Sequence, residues 1–254
     1  MADRLLFVPT WLISPNVCEN TPAMRAALEN LRTAFEVDVF TWPSLRGGGD
    51  FAPSWEGGVE ALIDALSPGC HVVVMAETPQ ALVALSREKQ GVATFVADGM
   101  WTPPGTLRAL GRLDEAAAAV STYRGRSYQW VRLYMQGGTE EEWTAAAELM
   151  DQDIDWAYLS ELAPSYMSLD LVAEDPKVMI PTLYFDSPLE LISYSDMADV
   201  FLAFVPHAEV QKLPAWPSRM QEAETGIDYA RRITAFIRRN TATTASEATA
   251  TDGL

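Results

Sequence analysis

Two carboxylates at expected strand ends in the first hundred residues have surroundings that suit proton transfer. The first is Glu77. Three β-branched residues, Val72, Val73 and Val74, end abruptly, and a helical apolar pattern (Ala81, Leu82, Leu85) begins within a few residues. Strand, sharp turn and helix in that order form a nucleophile elbow, whose motif is G-x-S-x-G. The chain reads Met75-Ala76-Glu77-Thr78-Pro79 there, so Glu77 stands where a serine is expected. The second carboxylate is Asp98, which closes the next apolar run, Ala93-Thr94-Phe95-Val96-Ala97. Burial raises a carboxyl pKa toward neutrality. Two carboxyls that share a ligand split into an acid and a base. Such a pair suits isomerisation, elimination or cyclisation of an apolar substrate. The competing readings are structural: Glu77 paired with Arg46 to hold the turn, and Asp98 capping the loop ahead of Gly99.

Flat apolar walls accompany the carboxylates. Trp11, Trp42 and Trp101 each follow an expected strand, and with Trp216 they are expected to line one cavity. Aromatic faces favour a planar or polycyclic ligand and orient it. Thr10, Thr78, Asp186 and the cap residue Tyr128 complete the expected substrate contacts. The expected partner is therefore a small hydrophobic molecule, with no cofactor and no metal.

The elements that must position these residues alternate at short spacing. Apolar, β-rich runs predict strands at 5–8, 37–40, 71–76, 93–97, 178–185 and 209–213. Helical periodicity predicts helices at 22–35, 59–66, after the elbow, and at 227–239. Strand–helix alternation of this kind predicts an α/β fold: a mostly parallel sheet of about six strands flanked by helices. The pattern breaks after Pro103-Pro104. Residues 105–176 read as helical, without a convincing strand, and carry many aromatics, including Tyr123, Trp143, Tyr158 and Tyr166. This predicts a helical cap (105–176) inserted into a core of 1–104 and 177–239, above the strand ends where open α/β sheets bind ligands. The tail, 240–254, is rich in Thr, Ala and Ser, lacks a hydrophobic face, and is expected to be disordered.

Composition narrows the function classes. A chain of 254 residues with 48% hydrophobic and 21% charged residues buries one large core. A net charge of −17 argues against nucleic acid and anionic membrane, which need clustered Lys and Arg. No apolar run approaches a membrane span, and the amino-terminal run is too short for a signal peptide. A cytoplasmic location is expected, and a homodimer is compatible with all of this. Two cysteines, Cys18 and Cys70, make no disulfide framework, and no Cys/His cluster suggests zinc.

In order along the chain, the segments resemble the α/β-hydrolase superfamily over about residues 4–239. Phe7-Val8-Pro9-Thr10-Trp11 is similar to the strand that leads to the family's oxyanion loop. Arg46-Gly47-Gly48-Gly49-Asp50 is similar to its "D-x-R-G-x-G-x-S" loop. Ile180-Pro181-Thr182-Leu183-Tyr184-Phe185 resembles the strand leading to the acid, with Asp186 and Glu190 as candidates. Phe204-Val205-Pro206-His207 through Leu213-Pro214 resembles the strand leading to the histidine. The resemblance implies a sheet that starts at the family's third strand. It also implies an altered catalytic set. Glu77 replaces the nucleophile, Pro79 stands at a small-residue position, and Trp216 sits where the histidine belongs. The chain's two histidines, His71 and His207, fall at the opposite end of the sheet.

Ester hydrolysis by a Ser-His-Asp triad is therefore not expected. Four readings remain: a non-hydrolytic acid–base catalyst of cyclase, isomerase or lyase type; a non-catalytic ligand-binding or partner protein; a hydrolase using Glu77 as carboxylate nucleophile; and, least favoured, a cofactor-free dioxygenase, which would need a His–Asp dyad.

Overall fold

The computed structural model describes residues 3–100, 102–116, 139–186, 196–213 and 222–251, with backbone alone at 142 and 243–251. Strand β1 (Arg4–Val8) buries four consecutive apolar residues and stops at Pro9, which offers no N–H to continue a ladder. Short helix α1 (Pro15–Asn20) follows, then α2 (Pro22–Arg32), which starts on Thr21-Pro22 and buries Ala23, Met24, Ala27, Leu28 and Leu31. Strand β2 (Glu36–Val39), helix α3 (Trp55–Ala65), strand β3 (His71–Met75), helix α4 (Thr78–Arg87) and strand β4 (Thr94–Asp98) complete the first half. All of β3 and β4 is buried, as strands covered on both faces must be.

Helices α5 (Pro104–Ala109), α6 (Glu140–Asp153), α7 (Trp156–Ser168) and α8 (Leu171–Glu174) lie between β4 and β5. No named strand occurs among the described residues of this insertion. Strand β5 (Thr182–Asp186), helix α9 (Met197–Phe204), strand β6 (Glu209–Lys212) and helix α10 (Ala223–Thr251) finish the chain. No helix of the described residues is long and apolar enough to cross a membrane.

The sheet order is β2-β1-β3-β4-β5-β6, and every pairing is parallel. The chain leaves β1 toward β2, then returns to place β3 on the other side of β1. The loops after β1 and β3 therefore diverge, and between them lies the switch in strand order at which open α/β sheets hold ligands. Helices α2 and α10 pack together, as do α3 and α4. The α2–α10 approach is close: a Cβ on Gly226 would lie 1.8 Å from the Ala23 carbonyl oxygen.

Four local expectations change. Strand β5 begins at Thr182 rather than 178, because Pro181 cannot donate to the ladder. Phe204, expected in a strand, ends helix α9, whose buried Met197, Val200 and Phe201 follow helical spacing. Strand β3 ends at Met75, one residue short of the expected limit. The final helix continues through Thr251, so residues 240–251 are helical where disorder was expected. An established helix propagates through Ala-rich sequence more readily than a new one nucleates.

Candidate active site

Strand β3 ends at Met75, and the chain reverses into α4 within two residues. The reversal is a γ-turn. The Glu77 amide donates to the Met75 carbonyl at 2.6 Å, and Ala76 between them holds φ at +61°. A positive φ strains an alanine, since its Cβ crowds the following carbonyl. Strain at the bend marks the elbow's tip. The tip is therefore Ala76, and Glu77 follows it as the residue that caps α4. This corrects the register expected from sequence: the residue in the nucleophile's place is an alanine, and Glu77 is one position beyond it.

The Glu77 side chain is completely buried. Its Oε1 accepts from the Trp11 amide at 3.4 Å. Among the described residues its Oε2 has no hydrogen-bond partner. Burial pushes the carboxyl pKa from 4.5 up to about 8. The Thr10 hydroxyl, the Trp11 amide and indole, and the Tyr166 hydroxyl oppose that rise without overcoming it. Among the described residues no Lys or Arg acts on it, and Arg46 is exposed. The structural reading of Glu77 as the partner of Arg46 therefore finds no support.

The Trp11 amide lies in the loop after β1, which in the elbow architecture supplies one of the two oxyanion-hole amides. The other would be the amide after the tip, here that of Glu77. Both are spent internally: Trp11 N on the Glu77 carboxyl, Glu77 N on Met75. An anionic acyl-transfer intermediate finds this hole filled by the protein's own carboxyl.

The loop after β1 is held by Trp42, which sequence reasoning placed at the ligand, and by Ser44. The Trp42 indole donates to the Pro9 carbonyl, and Ser44 Oγ donates to the Trp11 carbonyl at 2.8 Å. Thr78 Oγ1 donates to the Gly99 carbonyl at 2.7 Å. Trp42 and Thr78 thus spend their polar atoms on backbone, and they position the site rather than offering a free contact.

Asp98 ends β4 in register with Met75 and Phe185. Burial raises the pKa of Tyr229 on α10 well above its usual value, and the Asp98 carboxyl acting on its hydroxyl adds to the rise. Asp98 is not among the groups that act on Glu77. The structure therefore does not assemble the expected pair of interacting carboxyls. Asp186 closes β5, partly buried, on the same edge of the sheet. Trp101, Tyr128, Glu190 and Trp216 lie outside the described residues.

Tyr166 is the contributor that sequence reasoning left among the general cap aromatics. It is fully buried on α7, with its ring centroid 4.9 Å from that of Trp11 and tilted by 44°. The signal was present: Leu162, Tyr166 and Leu169 recur at i, i+4 and i+7 and are all buried, which puts the tyrosine on the inward stripe.

Both histidines sit at the amino edge. His71 opens β3, faces Thr94 Oγ1 at 3.0 Å, and has its pKa lowered by burial. His207 precedes β6, with Nε2 3.0 Å from the Ile180 carbonyl oxygen. Among the described residues no group of His, Cys, Asp and Glu gathers to hold a metal. A groove of about 330 Å³ between α2 and α10, lined by Asn30, Thr33, Arg231 and Arg238, shares no residue with the Glu77 group.

No known family model matches the chain, and no curated protein sequence does. Solved structures do match. A hydrolase from Oleispira antarctica superposes with a TM-score of 0.71 at 14% identity, covering 93% of this chain and 91% of its own. A bromoperoxidase from Bacillus anthracis gives 0.72 at 11%, covering 94% and 92%. MenH from S. aureus gives 0.65 at 12%, covering 95% of each. Near-complete coverage, together with the parallel sheet order and the elbow after β3, establishes that this chain has the α/β-hydrolase fold.

Proposed function

We propose that this protein is a non-hydrolytic acid–base catalyst of cyclase, isomerase or lyase type, acting on a small hydrophobic molecule with Glu77 as proton donor. The observation that carries the reading is a wholly buried carboxyl beside the switch in strand order, with a pKa of about 8 and one oxygen without a partner among the described residues. At neutral pH such a group is protonated. It gives up its proton near the operating pH, which is the condition for efficient general acid catalysis. Ala76 at the elbow tip and histidines at the far edge leave no alcohol–imidazole pair, which supports chemistry other than ester hydrolysis. The same facts weigh against Glu77 as a nucleophile, since an ester intermediate would need a histidine-activated water.

Asp98 takes a different part in this reading. Engaged with Tyr229, it supports the strand end and leaves the proton transfer to Glu77.

One observation favours the alternative of a non-catalytic ligand-binding protein. Ala76 is the smallest change that removes a nucleophile while keeping the bend. An assay separates the two. The protein is incubated with a panel of polycyclic apolar ketones and tertiary alcohols, and products are sought at unchanged mass or lighter by one water. Turnover that falls above pH 8 and disappears in Glu77→Gln supports acid catalysis. Tight binding with no product supports the binding protein. Turnover unchanged in Glu77→Gln refutes the assignment of Glu77.

A further inference from the structure

We propose that Glu77 Oε2, the Tyr166 hydroxyl and the Thr10 hydroxyl frame a subsite for one ligand oxygen, and that the ligand is a flat, uncharged ketone or enone whose carbonyl oxygen occupies it. The inference rests on the reading of Glu77 as a neutral acid and names what that acid meets. A buried carboxyl oxygen without a partner is costly, so this corner is built around an atom that arrives from elsewhere.

The hydrogen-bonding inventory fits a carbonyl. A neutral carboxyl carries one O–H donor. With Oε1 already accepting from the Trp11 amide, the proton belongs on Oε2. The Thr10 hydroxyl accepts from the Leu12 amide at 3.4 Å, and that bond leaves its own proton to turn toward the Glu77 carboxyl. The Tyr166 hydroxyl reaches the same carboxyl from the opposite element, the cap helix α7. A carbonyl oxygen has two lone pairs and takes two such donors. The donors sit beside the Trp11 and Tyr166 rings, which pack on each other at 4.9 Å with a 44° tilt and make the surroundings apolar. A ligand carboxylate fits this corner poorly, because among the described residues no Lys or Arg acts on this carboxyl to balance a second charge.

Tyr166 then acts as a positioning residue. It ties the carboxyl to the cap, so the acid is aimed only when α7 is docked. The Trp55 amide donates to Ser165 Oγ at 3.0 Å one residue away, which holds that part of α7 on α3.

Two probes differing mainly in one oxygen test this: 2-acetylnaphthalene and 2-ethylnaphthalene, titrated against the intact protein by fluorescence. The ketone is expected to bind the wild type about tenfold tighter than the hydrocarbon at pH 6.5, the worth of one good hydrogen bond. That preference should fade above about pH 8, as Glu77 loses the proton it donates. Tyr166→Phe, and separately Thr10→Val, should shrink the preference several-fold while leaving 2-ethylnaphthalene affinity unchanged. Equal binding of both probes to the wild type overturns the subsite, as does failure of either to bind. A Tyr166→Phe variant that weakens both probes alike shows that the tyrosine only packs. These outcomes are independent of turnover. An oxygen preference without product leaves the subsite standing and removes the catalytic reading; turnover abolished by Glu77→Gln without an oxygen preference does the reverse.

Discussion

Glu77 makes the stability of this protein depend on pH in a direction opposite to that of most carboxylates. Its folded pKa is about 8, against 4.5 for the ordinary side chain. Between those values the folded protein binds a proton that the unfolded chain does not. The stabilisation is therefore fully present below pH 4.5 and is lost as pH rises through the window to 8. Each pH unit inside the window is worth about 1.36 kcal/mol. Integrated from pH 5 to pH 8, the loss is about 3.5 kcal/mol, a large part of the 5–15 kcal/mol of an average domain. Glu77→Gln removes the titration and keeps the shape and the acceptor for the Trp11 amide. Urea unfolding of both proteins at pH 5, 6, 7, 8 and 9 isolates the effect, because every other titrating group is common to both. The variant should gain on the wild type by about 3.5 kcal/mol between pH 5 and pH 8 and hold that margin at pH 9. Parallel stability curves would show that Glu77 is not a desolvated acid, and the proposed chemistry would fall with it.

Other expectations follow from individual contacts. Ala76→Gly relieves the positive φ and should raise stability by about 1 kcal/mol in the same unfolding assay. Ala76→Ser restores an alcohol at the tip without a base, so p-nitrophenyl ester hydrolysis should stay at background; a burst of nitrophenol would refute the placement of the histidines. Asp98→Asn should cost about 1–3 kcal/mol by disturbing the Tyr229 contact, with turnover falling no more than a few-fold; complete loss of turnover in a folded variant would restore Asp98 as a catalytic group. Gly226→Ala forces a methyl into the Ala23 carbonyl and should lower the melting temperature by several degrees; an unchanged melting temperature would contradict the close α2–α10 packing.

The strands and their parallel direction were legible because β-branched runs alternate with helical stripes at short spacing. Where this reading slipped, the cause was local. Pro181 delays β5, and the apolar run 197–204 satisfies helical spacing that was mistaken at Phe204 for the approach to a strand. The site was legible in part. Thr10, Trp11 and Glu77 were named and do meet, since each follows a strand that ends on the same edge beside the switch in strand order. Trp42 and Thr78 were named and are committed to backbone carbonyls instead, a choice that residue type does not encode.

By itself the sequence determined the fold class, the acidic elbow and the absence of a histidine past Leu213, because these depend on periodicity and on which residues exist. Tertiary structure alone decided that Ala76 is the tip, that Asp98 serves Tyr229, and that Tyr166 reaches Glu77 from the cap. Backbone strain, side-chain direction and contacts across ninety residues are properties of how chain segments meet in space, and no local pattern of residues specifies them.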